Sequence, residues 1–221
     1  MTARRIPDGE PGRAAAALAL EAGEVVAIPT DTVYGLAVSL TAADGIDRLF
    51  AAKGRPRDRA IGVIVADLAQ AAAIAHLNPA ADALAAAFWP GGLTLVLDAR
   101  HEAGLPETLS GGRPTIGVRV ADHPAPRALA ARCGPLPTTS ANRTGEPEAR
   151  DAAEIEERLG AAVAVILDGG PAHGGPASTV VDATGPVPRI LRAGAVPAER
   201  IEAVLAAAGL SGPIPGPDMG R

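Results

Sequence analysis

The chain has 221 residues, of which 48% are hydrophobic and only 2% aromatic, and its formal net charge is −5. That length suits one sizeable domain, and the apolar share is enough for a packed core and excludes wholesale disorder. The acidic balance argues against non-specific attraction to nucleic acid or anionic membrane, and one Trp, one Tyr and two Phe offer almost no platform for stacked bases.

Taken along the chain, residues 11–23 read as a helix, with Pro11 early and Gly23 as a stop. Val25–Ile28 is a short apolar run suited to a buried strand, and 42–52 is helical with Ile46, Leu49 and Phe50 on one face. Ile61–Val65 predicts a strand, and 67–76 and 79–88 predict helices, the second opening at Asn78-Pro79. A turn at Trp89-Pro90-Gly91-Gly92 leads to strand 93–97. Residues 100–114 form a polar, Gly-rich loop, followed by strand 116–120 and a helix over 124–133. A short strand at 136–139 runs into a polar loop at 140–150 and a helix at 151–159. Strands at 163–167, 179–181 and 189–191, a Gly-rich loop at 168–177 and a helix at 197–208 complete the pattern. The Pro/Gly-rich tail 211–221 is expected to be disordered, leaving 1–210 as one domain. Strands and helices alternate irregularly, so the predicted class is α/β with a twisted mixed sheet and flanking helices.

No apolar run approaches the roughly 18 residues a membrane span requires. The single Cys133 allows neither an internal disulfide nor a CxxC metal site, which fits a reducing, cytoplasmic setting. His76, His101, His123 and His173 show no metal-ligand spacing.

Among 20 basic residues Lys53 is the sole lysine. A lysine is a compact point charge with a tunable pKa, suited to a single phosphate oxygen where a planar fork is not. It opens Lys53-Gly54-Arg55-Pro56-Arg57-Asp58-Arg59, a run that is either a solvated surface or a clamp for a polyanion. Pro29–Leu36 (PTDTVYGL) gathers hydroxyls and a carboxylate after a strand end, where α/β sheets bind ligands, although a capped polar turn is equally consistent. Thr138–Gly145 (TTSANRTG) is either a phosphate or ribose loop or the approach to a helix. It is no Walker A, since GxxxxGK[ST] is absent. Arg119 and Arg192 sit among apolar residues, where each needs a structural ion pair or an anionic ligand.

In this order the loops resemble the YrdC-like family of threonylcarbamoyl-AMP synthases over roughly residues 12–208. The strings that carry the likeness are PTDTVYGL (29–36), AKGRP (52–56), WPGGLTLVL (89–97), GVRVADHP (117–124), SANRTG (140–145), DGG (168–170), STVVD (178–182) and ILRAG (190–194). The resemblance implies a sheet around a basic concave cavity and a short, single-domain family member. It implies synthesis of threonylcarbamoyl-AMP from L-threonine, bicarbonate and ATP with release of pyrophosphate, Mg²⁺ accompanying the triphosphate. A downstream transferase machinery would then modify adenosine 37 of tRNAs that read ANN codons. By the same resemblance Lys53, Arg55, Arg59, Thr115, Ser140, Asn142 and Arg192 would hold ATP, with Lys53 and Arg55 catalytic. Thr32, Arg119, Thr138 and Ser178 would hold threonine, and no side chain is expected to bind metal directly.

The pattern also departs from the family. Ile64 stands where many long members carry His, Thr-Thr precedes the SAN string where Pro is common, and Ala-Gly follows Arg192 where Pro-Gly is common. The long members' extra C-terminal domain has no counterpart in the sequence. Two rival readings are a related carbamoyl-transfer or adenylating enzyme with another substrate, and a module binding tRNA or other structured RNA weakly.

Overall fold

A computed structural model describes residues 3–42, 44–172 and 175–210, so the tail at 211–221 lies outside the described residues. The strands are β1 Arg4–Pro7, β2 Val26–Ile28, β3 Gly35–Ala37, β4 Gly62–Ile64, β5 Ala75–His76 and β6 Leu93–Ala99. They continue as β7 Thr115–Arg119, β8 Leu136–Ser140, β9 Val165–Asp168, β10 Thr179–Asp182 and β11 Arg189–Arg192. The helices are α1 Glu10–Glu21, α2 Gly45–Lys53, α3 Leu68–Ile74, α4 Pro79–Phe88, α5 Glu107–Ser110, α6 Pro124–Cys133, α7 Ala152–Leu159 and α8 Ala198–Ala207.

Side chains start several helices where the sequence places caps. Asp67, Asn78 and Asp151 each accept a hydrogen bond from the backbone N–H three residues on, at 2.8–2.9 Å. His123 caps α6 by accepting from the Ala125 N–H, while Pro79 and Pro124 fill first-turn positions that need no donor.

The strands form one sheet in the order β1-β9-β2-β3-β8-β4-β7-β6-β10-β11, with β5 paired to β6. The pairing is mixed, as predicted: β1–β9, β2–β9, β4–β7 and β6–β10 are parallel, the others antiparallel. Alternation along each strand splits the core between two faces. On one face Val63, Leu95, Leu97, Ile116 and Val118 pack into a cluster shared with α2, α4, α7 and α8. On the other, Val26, Ile28, Ile64, Leu136, Val165 and Leu167 pack against α1 and α6.

That second face changes character beyond α1 and α6. Thr138, Gly62, Gly117 and Val96 stand opposite one another across β8, β4, β7 and β6. Two glycines in this row remove the side chains that would fill the space above the sheet. The ligand-sized space therefore opens over the sheet face, and Thr30, Thr32, Val33 and Tyr34, past the end of β2, contribute to its wall.

Three strands escaped the sequence pattern. β1 has no apolar run and pairs through its backbone, with Arg5 reaching Asp168 at 2.7 Å. β3 begins in the last two residues of PTDTVYGL, and the end of the helix predicted over 67–76 straightens at Ala75 into β5. The loop at 100–114 contains the short helix α5, and Ser140, read as loop, ends β8.

Candidate active site

The cavity over the glycine row has a volume of about 380 Å³. Thr32, Lys53, Arg55, Thr115, Arg119, Thr138, Ser140, Ser178 and Arg192 all line it, so the two predicted groups of site residues face one space. Its cationic side chains among the described residues are Lys53, Arg55, Arg113, Arg119 and Arg192, and its one carboxylate is Glu148. Two predicted residues fall outside the wall. Asn142 lies behind it, and Arg59 is exposed to solvent.

Lys53 is the last residue of α2, and Gly54 ends the helix in a left-handed conformation at φ +62°. Lys53 is only 4% exposed. Its Nζ donates to the Ser140 carbonyl and to Asn142 Oδ1, both at 2.7 Å, with Ser140 Oγ at 3.1 Å and the Asn142 carbonyl at 3.2 Å. The Asn142 amide is oriented by donating from Nδ2 to the Arg143 and Glu146 carbonyls, which turns its oxygen to the lysine. Every Nζ partner is an uncharged oxygen. Burial, reinforced by the neighbouring Arg55 charge and opposed by Glu148, lowers the ammonium pKa to about 8. An ammonium held without a direct counterion favours an incoming anion.

Arg119 is held differently. Its Nε donates to the Gly91 carbonyl at 2.9 Å, Nη1 to Thr32 Oγ1 at 3.0 Å, and Nη2 to Asp31 Oδ1 at 2.7 Å. The same Asp31 oxygen accepts from the Asp122 backbone N–H. The structural ion pair is therefore real, yet two of the five guanidinium donors are not used by these bonds. Arg192 donates to the Ser178 carbonyl from Nε and Nη2 and to Ser178 Oγ, and that hydroxyl also meets Thr94 Oγ1 at 2.8 Å. The Thr138 hydroxyl donates to the Leu136 carbonyl.

Sequence reasoning did not single out Thr30, Tyr34, Thr94, Arg113 or Glu148 as site residues, yet all line the cavity. Thr94 shares a strand face with Val96, a signal available from alternation once β6 is placed. Tyr34 is fully buried; its hydroxyl donates to the Gly170 carbonyl at 2.6 Å and accepts from the Gly169 N–H at 3.0 Å. This ties the DGG loop to the PTDTVYGL segment, a link no local pattern reveals.

Residues 18–194 match the Sua5/YciO/YrdC family model, whose description reads telomere recombination. The chain belongs to the Sua5/YciO/YrdC family. It is 38% identical over 198 residues to the threonylcarbamoyl-AMP synthase of Bacillus subtilis, covering 89% of this chain and 57% of that protein. It is 39% identical over 188 residues to a putative threonylcarbamoyl-AMP synthase of Mycobacterium tuberculosis, covering 85% and 86%. The structure of Pyrococcus abyssi Sua5 complexed with L-threonine superposes with a TM-score of 0.85 at 32% identity, covering all of this chain and 68% of Sua5. Escherichia coli YciO superposes at 0.80 with 26% identity, covering 91% of this chain and the whole of YciO. This Sua5/YciO/YrdC chain thus spans little more than half the length of its Bacillus relative.

The geometry of this family member makes one strand glycine sensitive. A Cβ on Gly35 would lie 2.7 Å from the Thr138 methyl group. Gly35→Ala is expected to push Thr138 off its position, costing about 1–3 kcal/mol of stability as overpacking does. Chemical denaturation checks the cost, and an unchanged unfolding midpoint would show that β8 yields freely.

Proposed function

We propose that this protein synthesises threonylcarbamoyl-AMP from L-threonine, bicarbonate and ATP, releasing pyrophosphate. The observation that carries the reading is the single cavity onto which Lys53, Arg55 and Arg192 converge with Arg119 and the hydroxyls of Thr32, Thr138 and Ser178. A relative at 32% identity solved with L-threonine and relatives named as threonylcarbamoyl-AMP synthases support it. Residues 1–210 act as one catalytic unit in this reading.

Threonine enters with its carboxylate on the unused donors of Arg119 and its polar groups among Thr32, Thr138 and Ser178. Its amine attacks the carbon of bicarbonate, and as the N–C bond of the carbamate forms a C–O bond breaks and that oxygen leaves as water with a proton from the amine. A carbamate oxygen then attacks the α-phosphorus of ATP, forming one P–O bond as the bond to pyrophosphate breaks and the leaving group takes the electron pair. Such a reaction needs positioned reactants and stabilised negative charge more than a nucleophilic side chain. Lys53, Arg55, Arg192, Ser140 and Thr115 supply that environment, Asn142 orients Lys53, and Arg59 adds charge from outside the wall. The described residues contain no group of three or more His, Cys, Asp or Glu suited to a metal ion. Mg²⁺ enters in this reading as the counterion of ATP. The described helices include none long and apolar enough to cross a membrane, and a cytoplasmic setting with a tRNA-modifying transferase downstream completes the reading.

Pyrophosphate release from Mg·ATP, measured with and without bicarbonate and with each amino acid in turn, tests this. Release that needs both bicarbonate and threonine is the expected outcome. Release with a different amino acid would reassign the substrate, and none from folded protein would reject the activity.

The pKa of Lys53 adds a second test. With the free ammonium titrating near pH 8, polyphosphate binding favours its charged form and raises that pKa. ATP binding at pH 8.5 should therefore take up protons, to a ceiling of about three-quarters of a proton per site, and uptake should vanish in Lys53→Arg. Calorimetry in buffers of differing ionisation enthalpy measures it; zero uptake in the wild type would separate Lys53 from the phosphates.

A further inference from the structure

Arg113 reads in the sequence as part of a solvated Gly-rich loop, and the resemblance gives it no role. The fold places it elsewhere. Gly111 adopts φ +64°, and a Cβ there would lie 2.5 Å from the Asp58 carbonyl oxygen, so the turn after α5 rests directly on the backbone that follows Arg57. The Ile61 N–H donates to the Leu109 carbonyl at 2.9 Å across the same junction. This packing brings the loop bearing Arg113 against the segment bearing Arg55, and both side chains line the cavity.

The two arginines differ in what they hold. Arg55 spends donors on the Arg59 and Ala60 carbonyls, as Arg119 and Arg192 do on their own partners. Arg113 makes no hydrogen bond or ion pair with any described residue. Its five donors stand uncommitted at an exposed part of the wall, whereas Lys53 is buried. An oligophosphate held at one end by the deep ammonium has its outermost, most highly charged end left for a planar fork at the rim.

We propose that Arg113 grips the terminal phosphates of ATP, the portion that departs as pyrophosphate. This rests on the adenylate-forming reading and adds a residue to it. Because Arg113 holds no other described residue in place, its removal leaves the fold intact.

The test is binding, with ATP, AMP and inorganic pyrophosphate titrated separately into wild-type protein, R113A and R113K. ATP and pyrophosphate should each bind R113A about tenfold more weakly, as the loss of one charge-assisted interaction predicts. AMP should stay within about twofold of wild type, and R113K should recover part of the loss. Wild-type ATP affinity in R113A, or an equal loss for AMP, overturns the assignment while leaving the functional reading in place. Wild-type protein that binds neither ATP nor pyrophosphate overturns both.

Discussion

Replacing Lys53 with Met is expected to lower pyrophosphate release by about a hundredfold or more, the usual effect of deleting one preorganised electrostatic contact at a reacting centre. The fold should survive. Met keeps the packing of the aliphatic stem and removes a buried charge whose pKa the protein holds near 8, below the ordinary lysine value of 10.5. Folding thus weakens the lysine's hold on its proton, so the group subtracts stability at neutral pH, and that penalty fades as pH rises from about 8 towards 10.5. Against this relief stand the Ser140 and Asn142 oxygens that lose a donor. The two effects oppose each other, and the thermal midpoint should move by less than about 5 °C. Near-normal turnover in folded Lys53→Met protein would remove the lysine from the chemistry.

Arg119→Ala should act on both stability and substrate use. Deleting the guanidinium strands Asp31, whose side chain is only 16% exposed, and unties Thr32 and the Gly91 carbonyl. Breaking a buried pair from one side costs about 3–5 kcal/mol. The apparent affinity for threonine should fall about tenfold or more, as expected when a carboxylate loses its charge-assisted partner. The double variant D31A/R119A separates these effects. It should be less destabilised than the sum of the single changes, since neither charge is left alone, yet threonine use should stay as poor as in R119A. An unchanged threonine dependence in R119A would show that the ion pair with Asp31 is the whole function of the arginine.

Much of this was legible from sequence because it depends on local rules. The capped helices and apolar strands follow from side-chain chemistry within a few residues, and the lone lysine stood out by count. What escaped depends on pairing between distant segments. β1 becomes a strand only because β9 offers it a backbone edge, and no pattern in Arg4–Pro7 announces that. Asp31 was read as one polar group in a turn, and its partner lies 88 residues away. Arg113 and Glu148 sit in stretches whose composition signals solvent, and only the fold turns them to the cavity wall. Arg59 shows the converse: it belongs to a run that looks uniform, yet Lys53, Arg55, Arg57 and Arg59 meet four different environments. Lys53 is buried, Arg55 lines the cavity, Arg57 pairs with Asp47 at 3.0 Å, and Arg59 faces water.

The strand order also bears on how the molecule is made. β9 sits between β1 and β2, and β8 between β3 and β4, so each fills a gap bounded by strands emerging far earlier in synthesis. Until residue 140 leaves the ribosome, β3 and β4 have no common neighbour, and Thr138 and Ser140 are missing from the ligand site. A nascent or truncated N-terminal half would present open sheet edges and hold no substrate. Assembly dominated by such distant pairings is slow. The chain closes these two gaps before Ser178 and Arg192 arrive, so its binding site is complete only after its inner sheet edges are covered.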